Sequence, residues 1–512
     1  MSQKMLALLL VMTLLWSCKE EQKQIQYTSD WDSLSKVEPA PEWFKDAKFG
    51  IYFHWGVYST PAFGNEWYPR HMFKDSTSEN LHHKSKYGDP KDWPYDKFIT
   101  GGKDLAGNDV RFAPKLTSEG GSFDPAAWAD LFVKSGARFA GPVAEHHDGF
   151  SMWDSKANPW NAMMQGPGID LVKILTDEIR KRDMKVILSM HHAYNITGFY
   201  EYVPEQSDPS LKILYGQLGK EKNEALWLAK HKEIIDQYQP DIIWQDFNLT
   251  KISEPVLLNF LSYYYNQADV WGKEVVATYK DALNTKVAVL DYERGGPFDI
   301  REDYWLTDDA ISKSSWCYTE GIGYYSTKAV LHSLFDRVSK NGNLLLNISP
   351  KADGSIPEEQ QNILLGMGDW LSRYGEAIYE TRVWEKYGEG PTEMGSGHFH
   401  EDGAKFSEPV EGTVEDIRFT RSKDGKYLYA ICMGWPENDN KFSIRSLSAD
   451  SLDLSTQLEG IALMGKDNKD LIPVKYLQTS EGLIVEAPAK HEEALAYLIR
   501  LKFKNQIPGL RK

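Results

Sequence analysis

Short apolar runs alternate along the first three quarters of this chain with longer segments whose apolar residues recur at helical spacing. The runs are residues 49–55 (FGIYFHW), 138–145, 185–190, the Ile242-Ile243 pair within 240–249 (PDIIWQDFNL), 274–279 (EVVATY), 287–293 (VAVLDYE) and 343–348 (NLLLNI). Their length and β-branched or aromatic content predict strands. Between them, residues 125–136 read as a helix capped by Asp124, with Trp128, Leu131, Phe132 and Val133 on one face. Further helices are expected over 169–182, through Leu226 and Ile234, and over 363–374. Each strand ends in a polar loop and a helix follows, so the pattern predicts a parallel sheet. At this length the closed (β/α)8-like barrel is the obvious architecture, over residues 38–385. A doubly wound open sheet is the alternative, but the Gly-rich phosphate loop that such sheets carry at their first strand is missing. Near Trp384 the runs become short and alternating, at 427–433, 460–465, 483–487 and 496–503, separated by Gly, Asn and Asp. Residues 386–512 therefore read as an antiparallel β-sandwich.

The N-terminus carries a processing signal. Lys4 precedes an apolar run, 5–16, that is too short to span a bilayer, and Ser17, Cys18, Lys19, Glu20 and Glu21 follow at once. LLWSC resembles the lipobox of bacterial lipoproteins, which implies a signal peptide over 1–17 and lipidation of Cys18. Lys19-Glu20-Glu21 resembles the export signal of surface-exposed lipoproteins in some Gram-negative bacteria. The expected location is the cell envelope, by an outer-membrane lipid anchor, with the polar stretch 18–37 as a flexible tether.

Composition narrows the function. Aromatic residues make up 13% of the 512, which nudges towards flat apolar surfaces that stack on sugar rings. A formal charge of −16 argues against nucleic acid as a partner. Once Cys18 is spent, only Cys317 and Cys432 remain, so a disulfide framework is not expected. No C-x-x-C or H-E-x-x-H spacing supports a structural zinc site.

The strand ends carry the candidate chemistry: His54, Glu66, His146, His147, His191, His192, Asp246 and Glu293. In a parallel barrel these ends share one mouth, where such folds do their chemistry. Adjacent residues on a strand face opposite ways, so one of each histidine pair should face the pocket unless strand has already given way to loop. Metal sites of the zinc hydrolase kind use short spacings such as H-x-H, and only contiguous pairs occur here. The favoured reading is a ring of hydrogen-bonding groups for sugar hydroxyls, with two carboxylates breaking the bond.

Four segments, 48–72 (KFGIYFHWGVYSTPAFGNEWYPRHM), 145–155 (EHHDGFSMWDS), 240–247 (PDIIWQDF) and 343–357 (NLLLNISPKADGSIP), resemble in order the retaining α-L-fucosidases of glycoside hydrolase family 29. The resemblance covers about residues 37–385 and implies an α/β barrel, a C-terminal β-domain and no metal or organic cofactor. It implies Asp246 as nucleophile, His54, Glu66, Trp67 and one or both of His146 and His147 as holders of sugar hydroxyls, and Trp244 as a pocket wall. Asp148 reads at least as well as a turn former, and Asn347 with the 351–354 turn as the closure of the last strand. Two departures matter. Where family members place the acid/base Glu after a Trp, this chain has Leu306, so the role passes to Glu293, with Arg294 beside it matching a pocket arginine; Asp308 and Glu66 are the other candidates. His191 or His192 replaces an aromatic pattern on the pocket wall, which leaves L-galactose open beside L-fucose. The resemblance thus implies an exo-acting retaining hydrolase of terminal α-L-fucose on extracellular glycans. The alternatives are an α-L-galactosidase on the same scaffold and a catalytically inactive carbohydrate-binding lipoprotein.

Overall fold

The computed structural model describes residues 26–394, 408–437, 439–465, 470–488 and 494–511. The signal peptide and the lipidation site at Cys18 lie outside the described residues. Eight parallel strands close into a barrel: β1 (Phe49–Phe53), β2 (Phe139–Glu145), β3 (Lys185–Met190), β4 (Ile242–Gln245), β5 (Val276–Tyr279), β6 (Val289–Asp291), β7 (Trp305–Ala310) and β8 (Gly342–Ile348). The ring closes where β1 pairs with β8 on one side and β2 on the other.

The interior is filled by inward-facing side chains from successive strands, among them Phe139, Ile187, Ile242, Val276, Val289, Leu306 and Leu345. A short helix, Glu42–Ala47, contributes Phe44 and Ala47 to the same cluster and closes the N-terminal end of the barrel. The larger apolar shell lies between the strands and the helices outside them, so the barrel is a packed core, and the cavity-lining polar residues gather at its C-terminal rim.

Three expectations are corrected. Residues 26–37 are not a free tether: the backbone N–H groups of Gln26 and Tyr27 donate to Asn266 Oδ1 at 3.0 Å, and Leu34 is buried. A short helix, Trp31–Leu34, capped by Asp30, places Trp31 Nε1 2.5 Å from Glu254. The segment around Leu306, absent from the strands expected from the pattern, is strand β7, paired with β6 and β8. Its Trp-Leu-Thr-Asp-Asp run lacks the apolar look of a barrel strand because Asp308 and Asp309 lie at its rim end. Finally, β5 and β6 are followed by loops rather than by helices, so the regular strand–helix alternation breaks on the side of the barrel that holds Glu293.

The C-terminal domain is two antiparallel sheets. One has seven strands and includes Ile417–Ser422, Tyr427–Cys432, Tyr497–Phe503 and Leu458–Met464; the other joins Lys441–Ile444, Leu483–Glu486 and Tyr476–Gln478. Thr381–Arg382 already belongs to the larger sheet, ahead of the boundary read from the pattern. The domain packs on the barrel helices, with Arg418 Nε 2.8 Å from Asp336 and Trp370 Nε1 donating to Ala496 O at 2.9 Å.

Candidate active site

The period of two carries each strand's inward face up to the rim. Ile187 leads to His191, Ile242 and Trp244 to Asp246, Val276 to Lys280, Val289 and Asp291 to Glu293, and Leu306 to Asp308. All of these rim residues line one cavity of about 240 Å³, together with His54, Glu66, Trp67, His146, His147, Trp244, Phe247 and Trp316. On β2 the register shifts between Val143 and Glu145, and this bulge resets the alternation. Glu145 therefore leaves the barrel interior, and His146 and His147, already in the loop, both face the cavity.

Asp246 is held by three cavity side chains. Its Oδ2 lies 3.0 Å from His191 Nδ1 and 3.1 Å from His147 Nε2, and its Oδ1 lies 3.1 Å from Lys280 Nζ. Burial pushes the carboxyl up, but Lys280 and His191 outweigh burial and hold it well below the usual carboxylate range. His147 is fixed from its other nitrogen, with Nδ1 donating to His191 O at 2.7 Å. The result is a buried carboxylate held ionised and aimed.

Glu293 faces it across Lys280, whose Nζ is 2.7 Å from Glu293 Oε2. Burial raises the Glu293 carboxyl to about 7; Asp308 and Asp246 add to the rise and Lys280 opposes it. Lys280 Nζ also lies 3.6 Å from Asp308 and 4.0 Å from Asp291, with the Trp244 ring centroid 4.7 Å away. Burial disfavours the ammonium, but these four carboxylates overcome it and lift Lys280 well above the ordinary lysine value. Asp308 sits deeper than Glu293 and accepts from Tyr52 OH at 2.8 Å.

The remaining wall suits hydroxyl recognition. Burial holds His54 and His146 well below the ordinary histidine value, so each is neutral and offers one donor and one acceptor. His54 is oriented by Asn347, whose Oδ1 lies 2.8 Å from His54 Nδ1 and whose Nδ2 donates to Trp316 O at 2.7 Å. Asn347 thus positions two cavity walls as well as closing the last strand. Glu66 reaches the cavity from the loop after β1 and accepts from the Trp316 N–H at 2.9 Å. Trp67 and Phe247 lie nearly parallel, 7° apart with centroids separated by 6.3 Å.

Two site expectations are corrected. His192 does not line the cavity. One residue beyond His191, it faces the other way, and its Nδ1 hydrogen-bonds Glu145, which Lys230 Nζ also contacts at 2.6 Å and Ser151 Oγ at 2.5 Å. Arg294 likewise diverges from Glu293: its guanidinium stacks on Trp316, 4.6 Å from the ring, and Trp316 rather than Arg294 meets the cavity. Leu306 faces the apolar interior one layer below Asp308, so an acid at that position on this backbone would not reach the cavity. Asp148 is buried beside Tyr95, whose OH donates to it at 2.7 Å, and lies outside the cavity wall. Lys280, Phe247 and Trp316 were missed; the first follows from the Val276-Thr278-Lys280 alternation.

Among the described residues, His54, His146 and His191, or His147, His191 and Asp246, could offer ligand atoms to a metal, since the atoms of each set lie within 4.8 Å of one another. Both sets belong to the cavity wall, and in the second the Asp246 carboxylate is already shared with the Lys280 ammonium.

A blind polar cup at the mouth of a parallel barrel, with an ionised carboxylate facing a protonatable one, is the site of a glycoside hydrolase. Residues 14–376 match the family Alpha-L-fucosidase, and residues 411–503 match the Alpha-L-fucosidase C-terminal domain. The chain belongs to the alpha-L-fucosidase family, glycoside hydrolase family 29. It is 29% identical over 459 residues to the tissue alpha-L-fucosidase of Homo sapiens, covering 85% of this chain and 84% of that protein. The Thermotoga maritima alpha-fucosidase solved with a mechanism-based inhibitor superposes with a TM-score of 0.73 at 27% identity, over 93% of this chain and 100% of that one. The same enzyme solved in complex with fucose gives a TM-score of 0.71 at 26% identity, over 93% and 99% of the two chains.

Proposed function

We propose that this enzyme removes terminal α-L-fucose from glycans by double displacement with retention, Asp246 acting as nucleophile and Glu293 as general acid/base. One observation carries the reading: Asp246 and Glu293 contact the same nitrogen, Lys280 Nζ, at 3.1 and 2.7 Å. Their nearest oxygens therefore lie within about 6 Å of each other, compatible with the separation of about 5–5.5 Å that suits a retaining pair and too short for most inverting pairs. The electrostatics divide the roles, since Asp246 stays ionised and Glu293 keeps its proton up to about 7. His54, Glu66, Trp67, His146, His147, His191 and Trp244 surround the place where the sugar sits. A cavity of about 240 Å³ fits one ring, below the usual range of about 300–1,000 Å³ for drug-sized ligands, and this supports exo action. The fucose complex of the Thermotoga maritima relative supports L-fucose as the sugar.

The test is hydrolysis of aryl α-L-fucoside and aryl α-L-galactoside by the chain beginning at residue 19, beside Asp246→Ala and Glu293→Ala. Turnover of the fucoside, loss in Asp246→Ala, and azide rescue of Glu293→Ala support the reading. Preference for the galactoside replaces the sugar, and binding of L-fucose without turnover replaces the enzyme by a binder. Activity that survives dialysis against a chelator separates this mechanism from metal-dependent hydrolysis. We also propose an envelope location through a lipid on Cys18, so that the substrates are extracellular glycans. Membrane fractionation of the full chain and of Cys18→Ala tests it, the variant moving to the soluble fraction.

A further inference from the structure

We propose that Lys280 is a third catalytic residue, a fixed cation that serves the nucleophile and the acid/base in turn so that negative charge moves between them without any group having to move. The proposal rests on the reading of Asp246 and Glu293 just given. Lys280 sits at the end of β5, its side chain 2% exposed, with Nζ 3.1 Å from Asp246 Oδ1 and 2.7 Å from Glu293 Oε2. Around it stand Asp308, Asp291, the Trp244 face and, as further charges or titrating neighbours, His54 and His191.

The charge balance over the reaction explains the placement. Before reaction Asp246 carries the negative charge and Glu293 its proton. In the first displacement Asp246 forms a bond to the anomeric carbon, the glycosidic carbon–oxygen bond breaks, and the leaving oxygen takes the proton of Glu293. Asp246 is now a neutral ester and Glu293 a carboxylate. In the second displacement water attacks the anomeric carbon while Glu293 takes its proton, and the ester bond breaks to return the Asp246 carboxylate. One negative charge is present throughout, and each of its two positions lies against Lys280 Nζ. In a dry site a preorganised charge of this kind costs no reorganisation at the moment of reaction, and removing one such donor typically lowers kcat by about 10²- to 10³-fold. A cation bound to one carboxylate alone would stabilise that carboxylate's charge and oppose its loss.

The experiment compares wild type with Lys280→Met, Lys280→Gln and Lys280→Arg on aryl α-L-fucoside, recording kcat and kcat/KM against pH, with thermal unfolding as the check on folding. Lys280 lowers the affinity of both neighbouring carboxyls for protons, so its removal moves both limbs of the profile to higher pH and lowers kcat by about 100-fold or more. Lys280→Arg keeps the charge and holds both limbs near their wild-type positions. Lys280→Gln, which retains a hydrogen-bond donor, moves them as Lys280→Met does and carries the test should the methionine variant fail to fold. A purely structural ion pair lowers the amount of folded enzyme and leaves kcat per folded molecule near the wild-type value. Unshifted limbs in Lys280→Gln with near wild-type kcat overturn the proposal while leaving the nucleophile and acid/base reading standing. Wild-type enzyme without turnover, or an active Asp246→Ala, overturns that earlier reading instead.

Discussion

His191 Nδ1 lies 3.0 Å from Asp246 Oδ2, and both groups are carried to the rim by the inward faces of adjacent strands. The next residue, His192, takes the opposite face and enters the buried cluster of Glu145 and Lys230. The two histidines therefore fail differently. His191→Ala leaves the fold in place but removes a hydrogen bond to a charged oxygen, and kcat falls on the order of 10- to 100-fold. His192→Ala opens a gap behind the barrel wall and shows first as a lower Tm. Steady-state kinetics and thermal unfolding of both variants check the contrast; a larger kcat loss in His192→Ala contradicts the assignment.

With Asp246 as the proposed nucleophile and Glu293 as the proposed acid/base, the pH profile follows from the two carboxyls. Asp246 must be ionised and is held well below the usual range, chiefly by Lys280 against the effect of burial, so the acid limb lies at low pH. Glu293 must be protonated and is raised to about 7 by burial, so activity declines as pH rises through about 7. The stability signs are opposite. The raised Glu293 contributes stability below its unfolded value that is lost as pH climbs through about 7, whereas the depressed Asp246 contributes stability that is lost as pH falls below its unfolded value. Glu293→Gln abolishes the alkaline limb of whatever activity remains on an aryl fucoside with a good leaving group. A limb that persists unchanged in that variant assigns it to another residue.

Behind the cavity, Lys230 Nζ lies 2.6 Å from Glu145 Oε1, and both side chains are fully buried. Burial raises Glu145, but Lys230 and His192 outweigh it and bring the carboxyl down to about 2. Removing one partner leaves an uncompensated buried charge, so Lys230→Met costs about 3–5 kcal/mol. The paired replacement Glu145→Gln with Lys230→Met recovers much of that loss, because no lone charge remains. Urea midpoints of the single and double variants read the difference, and additive losses refute the coupling.

The barrel and most of its rim were legible in the chain because one face of each strand is apolar and the next inward step is polar. Seven of the eight strands announce themselves in this way. The eighth, Trp305–Ala310, hides because Asp308 and Asp309 occupy its upper half, and an apolar-run search stops at Leu306. Lys280 was within reach of the same alternation, but a search for acids and histidines at strand ends passes over a lysine. The fates of Glu145, His146 and His147 depend on a bulge, and a bulge is visible only in the register between Val143 and Glu145. Trp316 reaches the cavity from an irregular loop after β7, with no period to place it. Arg294 was expected at the pocket because it matches a family pocket arginine, but here its guanidinium lies over Trp316, which meets the cavity in its place.

Leu306 stands where the family pattern would put the acid. Leu306 and Asp308 share the inward face of β7, but Leu306 packs among the apolar side chains that fill the barrel and Asp308 meets the cavity floor. Restoring the family residue by Leu306→Glu therefore buries a carboxylate in that apolar layer, and costs several kcal/mol of stability without adding an acid. In the background of Glu293→Ala the substitution gives no recovery of turnover. Asp308→Asn separates the other candidate: the amide oxygen still accepts from Tyr52 OH, one negative charge beside Lys280 is lost, and activity falls modestly without azide rescue. Azide rescue in Asp308→Asn, or recovered turnover in the Leu306→Glu, Glu293→Ala double variant, transfers the acid/base role away from Glu293 and with it the charge balance argued for Lys280.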